Sequence, residues 1–305
     1  MCGGIRQLRE QGLRRPLSSV VLRRDQNRDG PPPIPYVGGI LLAPNKSRTL
    51  KRKPLVEAIL EVRWTLQGEA ALGMGVDPNY RILLGRFSDR VRETYPAHEP
   101  LPAASMPDEM AAYVVQHRFR ARTDGWPVVQ LGPGVLTVNE TEAYEWPDFQ
   151  RRCEAAVKDL VDSYPSRSDL HVDMLTLRYI DARAFDYERD NILGFLDSMM
   201  KTTVRLPVDA AFFDDDAPIP KPSSVNLQLS FPHSKPDGTA TIRLATGNKK
   251  AEKALIWETV VSSAGPEVPG MPEGFPNWLV GAHGTTHDWF FKLIEGELEK
   301  EFSSD

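Results

Sequence analysis

Six secondary-structure patterns follow one another in the same order twice along this chain of 305 residues. The order is one strand, one helix, three strands and a second helix, with a long proline-containing loop after the first helix. Strands are indicated by alternating apolar and polar residues, and helices by apolar residues every three or four positions. This order predicts an α+β fold of mainly antiparallel sheets with packed helices. We interpret the repetition as a tandem duplication of one module.

The first predicted module covers residues 50–166. Its opening strand ends near Trp64. Asp77 followed by Pro78 then predicts the start of a helix, with Asp77 as the N-cap. Three further strands are predicted, at 112–122, 127–131 and 135–139. A helix that opens at Pro147 closes the module.

The second predicted module covers residues 167–305 and forms one compact body with the first. Its opening strand at 172–182 precedes a short helix that Asp190 caps. The long loop after this helix contains the acidic run Asp214–Asp216, which lacks the spacing of an EF-hand and is interpreted as a solvated turn. Three strands follow, and the closing helix is predicted from about Leu279 to Phe302.

The composition is typical of a globular protein, with 41% hydrophobic and 26% charged residues. No apolar run in the sequence approaches the roughly 18 residues of a membrane span, and no signal-peptide pattern is present. We therefore expect a cytoplasmic protein without membrane contact. The two cysteines, Cys2 and Cys153, are too few for a disulfide framework or a four-thiolate zinc site. Cys153 lies on the apolar stripe of a predicted helix, so we expect it in the core.

Charge is distributed unevenly along the chain. Residues 1–53 contain twelve of the 37 Lys and Arg side chains and three of the 42 Asp and Glu side chains, so this segment carries +9 and the rest −14. Residues 1–49 have no lasting apolar pattern, and we expect a disordered basic extension there. One interpretation is a linker, or upstream sequence translated from an over-extended start. The other is an arm that binds nucleic acid or an anionic membrane.

Two arginines occupy matching places in the opening strands of the two predicted modules. Arg63 and Arg178 each stand between an aliphatic and an aromatic residue. A cleft between duplicated halves would let them clamp an anion, with Asp181 as a further polar residue of that cleft. The alternative is that each arginine forms a structural ion pair, with Asp173, Asp181 or Glu61 as candidate acids.

His283 and His287 are the candidate metal ligands. They lie four positions apart in the closing helix, which would place both imidazoles on one face, as in zinc sites. The stretch lacks the glutamate that follows the first histidine of the metalloprotease motif. Two alternatives therefore remain: a pair of hydrogen-bonded histidines, or a metal site that also needs a carboxylate.

Arg118, Arg120 and Arg122 alternate along a predicted strand and share one face. Such a stripe can contact phosphate, and Trp126 or Tyr113 could stack on bases. A charged, solvated sheet face is the alternative, and on an acidic body we do not expect nucleic acid as the partner. The sequence contains no glycine-rich phosphate loop, nucleophile elbow, kinase signature or dinucleotide fingerprint.

Three blocks of sequence resemble a sporadically distributed, uncharacterised bacterial protein family. The blocks are PLVEAILEVRW at 54–64, WPVVQLGPGVLTVN at 126–139 and LRYID at 177–181. Members of that family usually begin just before the first block, which favours the over-extended start. The resemblance implies no particular activity, cofactor or catalytic residue. The patchy distribution of the family suggests accessory genes, such as defence or toxin–antitoxin-like cassettes.

The sequence thus predicts a non-enzymatic cytoplasmic protein that binds a protein partner or a small ligand in a cleft between two α+β halves. No cofactor is expected, and a homodimer through exposed sheet edges agrees with the pattern. The alternative is a metal-assisted enzyme that uses His283 and His287 with a carboxylate. A third hypothesis is nucleic-acid binding through residues 1–53 or the arginine stripe.

Overall fold

The computed structural model describes residues 48, 50–69, 74–141, 143–205 and 222–304. The chain divides into two units, Met1–Arg48 and Thr49–Asp305, and all elements described below belong to the second. The predicted basic extension, apart from Arg48, and the predicted turn at Asp214–Asp216 lie outside the described residues.

Among the described residues, eleven strands and five helices form the second unit. The strands are β1 (Leu55–Trp64), β2 (Gln67–Glu69), β3 (Met74–Val76), β4 (Ala97–Pro100), β5 (His117–Arg120), β6 (Val128–Gly132), β7 (Val135–Glu140), β8 (Val172–Ala184), β9 (Asn226–Ser234), β10 (Asp237–Lys249) and β11 (Glu252–Ala264). The helices are α1 (Tyr80–Val91), α2 (Trp146–Ser163), α3 (Ile192–Met199), α4 (Phe275–Ile294) and α5 (Glu297–Ser303). None of these helices is long and apolar enough to cross a membrane.

Nine of these strands form one antiparallel sheet in the order β4-β5-β6-β7-β1-β8-β11-β10-β9. Strands β1 and β8, which open the two predicted modules, pair at its centre, with Leu60 opposite Leu177. Outward from β1 the next strands are β7, β6 and β5, and outward from β8 they are β11, β10 and β9. On both sides the last strand of a three-strand meander therefore lies next to the central pair. The α+β fold class is confirmed. The duplication itself stays a prediction.

The two faces of the sheet differ because each strand alternates. On β1, Ala58, Leu60 and Val62 are fully buried, whereas Ile59 and Glu61 point to the other side and are half-buried. We call the first side the inner face, because the helices pack on it, and the second side the outer face. The alternation of β1 continues across the paired strands, so each face is continuous over the sheet.

Two hydrophobic clusters lie between the inner face and the helices. The first cluster joins both halves, since it contains Leu60 and Phe149 from the first half and Leu177 from the second. The second cluster belongs to the second half, where Trp257 of β11 packs with residues of α3, α4 and α5. Burial of large apolar side chains in both clusters is the main source of stability for this layer.

Four local predictions are corrected. Helix α1 begins at Tyr80 with Asn79 as its N-cap, and Asp77 is instead a buried acceptor for the Trp64 indole N–H at 2.9 Å and the Tyr164 hydroxyl at 3.0 Å. The N-cap of α3 is Asn191 rather than Asp190, and its side chain accepts a hydrogen bond from the Gly194 N–H.

The closing helix is also divided into two. Gly296 has a φ of 113°, a conformation that glycine tolerates and that ends α4 before α5 begins. The predicted strand at 112–122 is shorter than expected, since only 117–120 pair as β5.

Candidate functional site

A chain of hydrogen bonds joins the two halves on the inner face. The Tyr144 hydroxyl lies 2.9 Å from the Tyr179 hydroxyl, which lies 3.0 Å from Nδ1 of His283. The indole of Trp146 stacks on the His283 ring, with centroids 3.6 Å apart and planes 9° from parallel. Together with Asp181, which lies two residues beyond Tyr179 on β8, we call these residues the seam cluster.

Elements of both halves hold the seam cluster. Tyr179 lies at the centre of the sheet, directly opposite Ala58 of β1 and Thr259 of β11. Tyr144 lies just before α2, where its carbonyl accepts a hydrogen bond of 2.9 Å from Nζ of Lys53. His283 comes from the middle of α4, so the cluster depends on the packing of α2 and α4 over β8.

Burial keeps the hydrogen-bonded chain uncharged at neutral pH. It lowers the pKa of His283 to about 3, with a smaller contribution from the neighbouring His287. It also raises the pKa of Tyr144 and Tyr179 above the usual phenol value. A neutral imidazole accepts at one ring nitrogen, so the Tyr179 hydroxyl can donate to His283 while it accepts from Tyr144.

Asp181 is a buried carboxyl group in the same region. Only 3% of its surface is exposed, and burial raises its pKa to about 8, against an opposing contribution from Lys249. At neutral pH most of this group is therefore protonated, and it can donate as well as accept a hydrogen bond. Its Oδ2 atom has no hydrogen-bond partner among the described residues.

Two further unpartnered atoms lie beside Asp181 on β11. Trp257 is the direct cross-strand neighbour of Asp181, and Thr259 is the neighbour of Tyr179. Trp257 Nε1 and Thr259 Oγ1 are both buried and lack a hydrogen-bond partner within the described part of the chain. Side chains opposite each other on one face are about 5 Å apart at Cβ. Each such atom costs about 1–3 kcal/mol, so three neighbouring ones call for an explanation.

The structure does not bring the predicted anion clamp together. Arg63 and Arg178 lie on the outer face, whereas Asp181 lies on the inner face. Arg63 is next to Met174 across the ladder, and Arg178 is next to Ile59, so about 13 Å separates the two arginines along the strands. They do not converge on one anion.

Each arginine has a carboxylate partner instead. Nε of Arg63 lies 2.8 Å from Glu61, one of the predicted candidate acids, and its guanidinium lies over the Tyr113 ring at 5.2 Å. Nε of Arg178 lies 3.8 Å from Glu258 of β11. Both contacts are ion pairs of the kind that the structural alternative describes, although Glu258 was not one of its three candidate acids.

His283 and His287 lie on consecutive turns of α4, with ring centroids 5.6 Å apart. Nδ1 of His283 is within hydrogen-bond distance of Tyr179, and Nδ1 of His287 lies 3.9 Å from Asp288. Among the described residues, no group of three or more His, Cys, Asp or Glu side chains is arranged to hold a metal ion. A metal site on this pair would require a third ligand.

The arginine stripe is held by neighbouring polar groups. Arg118 and Arg120 share the outer face of β5, and both lie within 3.5 Å of the Glu99 carboxylate. Arg122 lies beyond the end of this strand. Cys153 is fully buried on α2 as expected, and burial raises the pKa of its thiol.

A scan against protein-family models found no match, and a search of curated proteins found none either. The family resemblance of the three sequence blocks therefore stays a prediction.

Five residues of the candidate site were not predicted as site residues from the sequence. Tyr144 and Trp146 precede Pro147, the predicted start of the helix, and Tyr179, Trp257 and Thr259 lie on the apolar sides of predicted strands. The signal available in the sequence was a polar Asp181 on the same side of its strand as Leu175, Leu177 and Tyr179.

Proposed function

We propose that this protein is a non-enzymatic, cytoplasmic binding protein whose ligand lies between the seam cluster and the neighbouring residues Trp257 and Thr259 of β11. One observation carries the proposal: Asp181 Oδ2, Trp257 Nε1 and Thr259 Oγ1 are buried and unpartnered at neighbouring positions of one sheet face. A small ligand with a hydrogen-bond acceptor and a donor close together would satisfy all three atoms. Native proteins keep few such atoms, and those that remain often belong to functional sites.

The surroundings favour a neutral ligand. A protonated Asp181, a neutral His283 and two phenols give hydrogen bonds without net charge. Burial of an ionised ligand here would be costly, because Asp181, His283 and the two phenols carry no charge that could compensate it. The Trp257 N–H is a donor only, so the ligand must present an acceptor such as a carbonyl oxygen there. A small primary amide combines that acceptor with an N–H donor for Asp181 or Thr259.

Aromatic rings form the partly exposed side of the cluster. Trp146 and His283 are stacked and only half-buried, and Tyr144 packs edge-on against Tyr179. Planar rings of this kind supply apolar contact for a flat ligand. Benzamide, with one ring and one primary amide, is therefore a suitable first probe.

The test is benzamide binding to the full chain, measured by ligand-observed NMR and by the shift in melting temperature. We expect saturable binding to the wild type and loss of binding in Asp181→Leu, which removes the carboxyl group at similar volume. Arg178→Ala, on the outer face, is the matched control and should bind normally. Circular dichroism checks that each variant is folded.

Two outcomes contradict the proposal. Binding that is unchanged in Asp181→Leu would place the benzamide elsewhere, and no binding by benzamide or smaller amides would remove the proposed ligand class. Zinc titration of the same samples tests the alternative enzyme. Tight zinc binding that is lost in both His283→Ala and His287→Ala would support that alternative instead.

A further inference from the structure

The two edges of the nine-stranded sheet are unlike each other. β4 has four residues and contains Pro100 and the charged Glu99, two features that protect a sheet edge from other strands. β9 has nine residues and contains no Asp, Glu, Lys or Arg. It therefore lacks the charge and the short length that protect the opposite edge.

Two large apolar side chains are exposed along β9. Leu229 and Phe231 are 47% and 46% exposed, and they point to the same side as the inner face because they pair with Ile242 and Ala240. The Phe231 ring packs edge-on against Trp289 of α4 at 5.6 Å. The apolar layer under the helices thus continues to the open edge of the sheet.

The backbone of β9 alternates between its neighbour and the open side. The Val225 carbonyl accepts a hydrogen bond of 3.0 Å from the Thr246 N–H, so Val225 faces β10. By alternation, the even-numbered residues from Asn226 to Ser234 direct their N–H and C=O groups away from β10. Pro232 has no N–H and is one of these residues, so it costs the sheet no hydrogen bond.

We propose that β9 pairs antiparallel with β9 of a second copy, around a two-fold axis at Ser230. In this register Leu229 lies opposite Phe231 of the second copy, and the two Ser230 residues exchange a pair of backbone hydrogen bonds. The Gln228 N–H donates to the Pro232 carbonyl of the second copy, and Asn226 lies opposite Ser234. All nine residues of β9 take part in the pairing. Because Pro232 has no N–H, one hydrogen bond is missing at each of the two equivalent Gln228–Pro232 pairs.

Self-complementarity selects a second copy as the occupant. A two-fold contact requires that the same strand match itself, and the two exposed apolar residues lie symmetrically on either side of Ser230. Centring the contact on Gln228 or Pro232 would shorten the pairing, and centring it on Pro232 would also oppose two residues without N–H groups. The absence of charged residues from β9 also favours self-association, because residues 54–305 carry a net charge of −14. Pairing β9 with β9 of a second copy brings no like charges opposite each other along the strands.

The first test is the mass of the full chain by light scattering and sedimentation over a range of micromolar concentrations. We expect a mass twice that of one chain. Ser230→Pro should at least halve the dimer fraction because it removes an outward N–H and leaves the backbone bonds to β10 intact, losing only the side-chain bond to Thr241 that Ser230→Ala also loses. Ser230→Ala keeps that N–H and should dimerise like the wild type. A monomeric wild type, or a dimer that Ser230→Pro leaves unchanged, would overturn the proposal.

A cross-link tests the register in a background where Cys2 is replaced by serine. Ser230→Cys places two thiols on the axis at a Cα separation of about 5.5 Å, within the range of a disulfide. Asn226→Cys is the matched control, because its two copies would lie about 27 Å apart. We expect a covalent dimer from Ser230→Cys under mild oxidation and none from Asn226→Cys. Equal cross-linking of both variants would contradict the register.

Discussion

The two faces of β8 treat ionisable side chains in opposite ways. On the outer face, Arg178 stays charged beside Glu258, which also lies 3.4 Å from Arg243 of β10. On the inner face, Tyr179 and Asp181 are buried and neutral. They lie one and three residues after Arg178 in the sequence. The difference follows from solvent access. A half-exposed ion pair keeps its hydration, whereas a covered group avoids the cost of burial by remaining uncharged.

Across β5, β6, β7 and β1, side chains of the outer face bond with one another, although Arg63 Nε has only its ion pair with Glu61 and no hydrogen bond to another described residue. A chain of side-chain hydrogen bonds runs across four strands, with each donor 2.7–3.1 Å from its acceptor. Its members are Arg118, Gln130, Thr137, Asn139 and Glu57. The inner face does the opposite and leaves three polar atoms unpartnered beneath α4, among the described residues. This contrast is the reason that we place the candidate site on the inner face.

The largest expected effect comes from removing apolar volume on one face and not the other. Leu60→Ala, on the inner face of β1, should lower the free energy of unfolding by about 2–5 kcal/mol, because it leaves a cavity in the shared core. Ile59→Ala, its outer-face neighbour, should cost about 1 kcal/mol. Urea unfolding of both variants measures the difference. Equal losses would mean that the outer face is packed as tightly as the inner face.

The next prediction concerns pH, and two buried groups contribute with opposite signs. The pKa of Asp181 is raised from 3.8 to about 8, so its contribution to stability falls as the pH rises through this interval. The pKa of His283 is lowered from 6.5 to about 3, so its contribution falls as the pH drops through that interval. The two slopes oppose each other between about pH 4 and 6.5. Above about pH 6.5 only the Asp181 slope remains.

We therefore expect stability to decline between about pH 6.5 and 8, by at most about 1.4 kcal/mol per pH unit. Asp181→Asn mimics the protonated carboxyl group and should flatten this decline. Asp190→Asn, at an exposed position before α3, is the control and should leave the slope unchanged. Urea unfolding at several pH values provides the measurement. A decline that persists in Asp181→Asn would assign the titration to another group.

The smallest effect is expected on the outer face. Arg178→Ala breaks a half-exposed ion pair, and such pairs contribute about 0.2–1 kcal/mol. The loss should shrink at about 1 M salt, where the Debye length is about 3 Å. Urea unfolding at low and high salt measures it. If the free energy of unfolding falls by well over about 1 kcal/mol and this loss is the same at low and high salt, the burial of Glu258 depends on Arg178.

Local patterns in the sequence were sufficient for most of the fold. Alternation placed β1 and β8 within a few residues, and Pro147 and Pro165 bracket α2 as proline requires. The two N-caps were predicted one or two residues too early, because neighbouring polar residues compete for the N-cap position. Asp77 accepts hydrogen bonds from Trp64 and Tyr164. Both donors are far from Asp77 in the sequence, so no local pattern connects them to it.

The candidate site was predicted less well, for two reasons. Strand alternation already assigns Arg178 and Asp181 to opposite faces, because three positions separate them, so grouping them in one cleft was wrong in geometry. The partners of Asp181 could not be found locally. Trp257 meets it only because β11 crosses over to pair with β8, and Trp146 meets His283 only because α2 and α4 pack together.

The central pairing of β1 with β8 has a consequence for synthesis on the ribosome. When residues up to 166 have emerged, β1 can pair with β7 on one side, but its other side has no partner until β8 is translated. During that interval a ten-residue strand with an apolar face presents open backbone groups to other nascent chains. The pace of translation from Pro165 to Ala184 should therefore influence how much of the protein is recovered in native form.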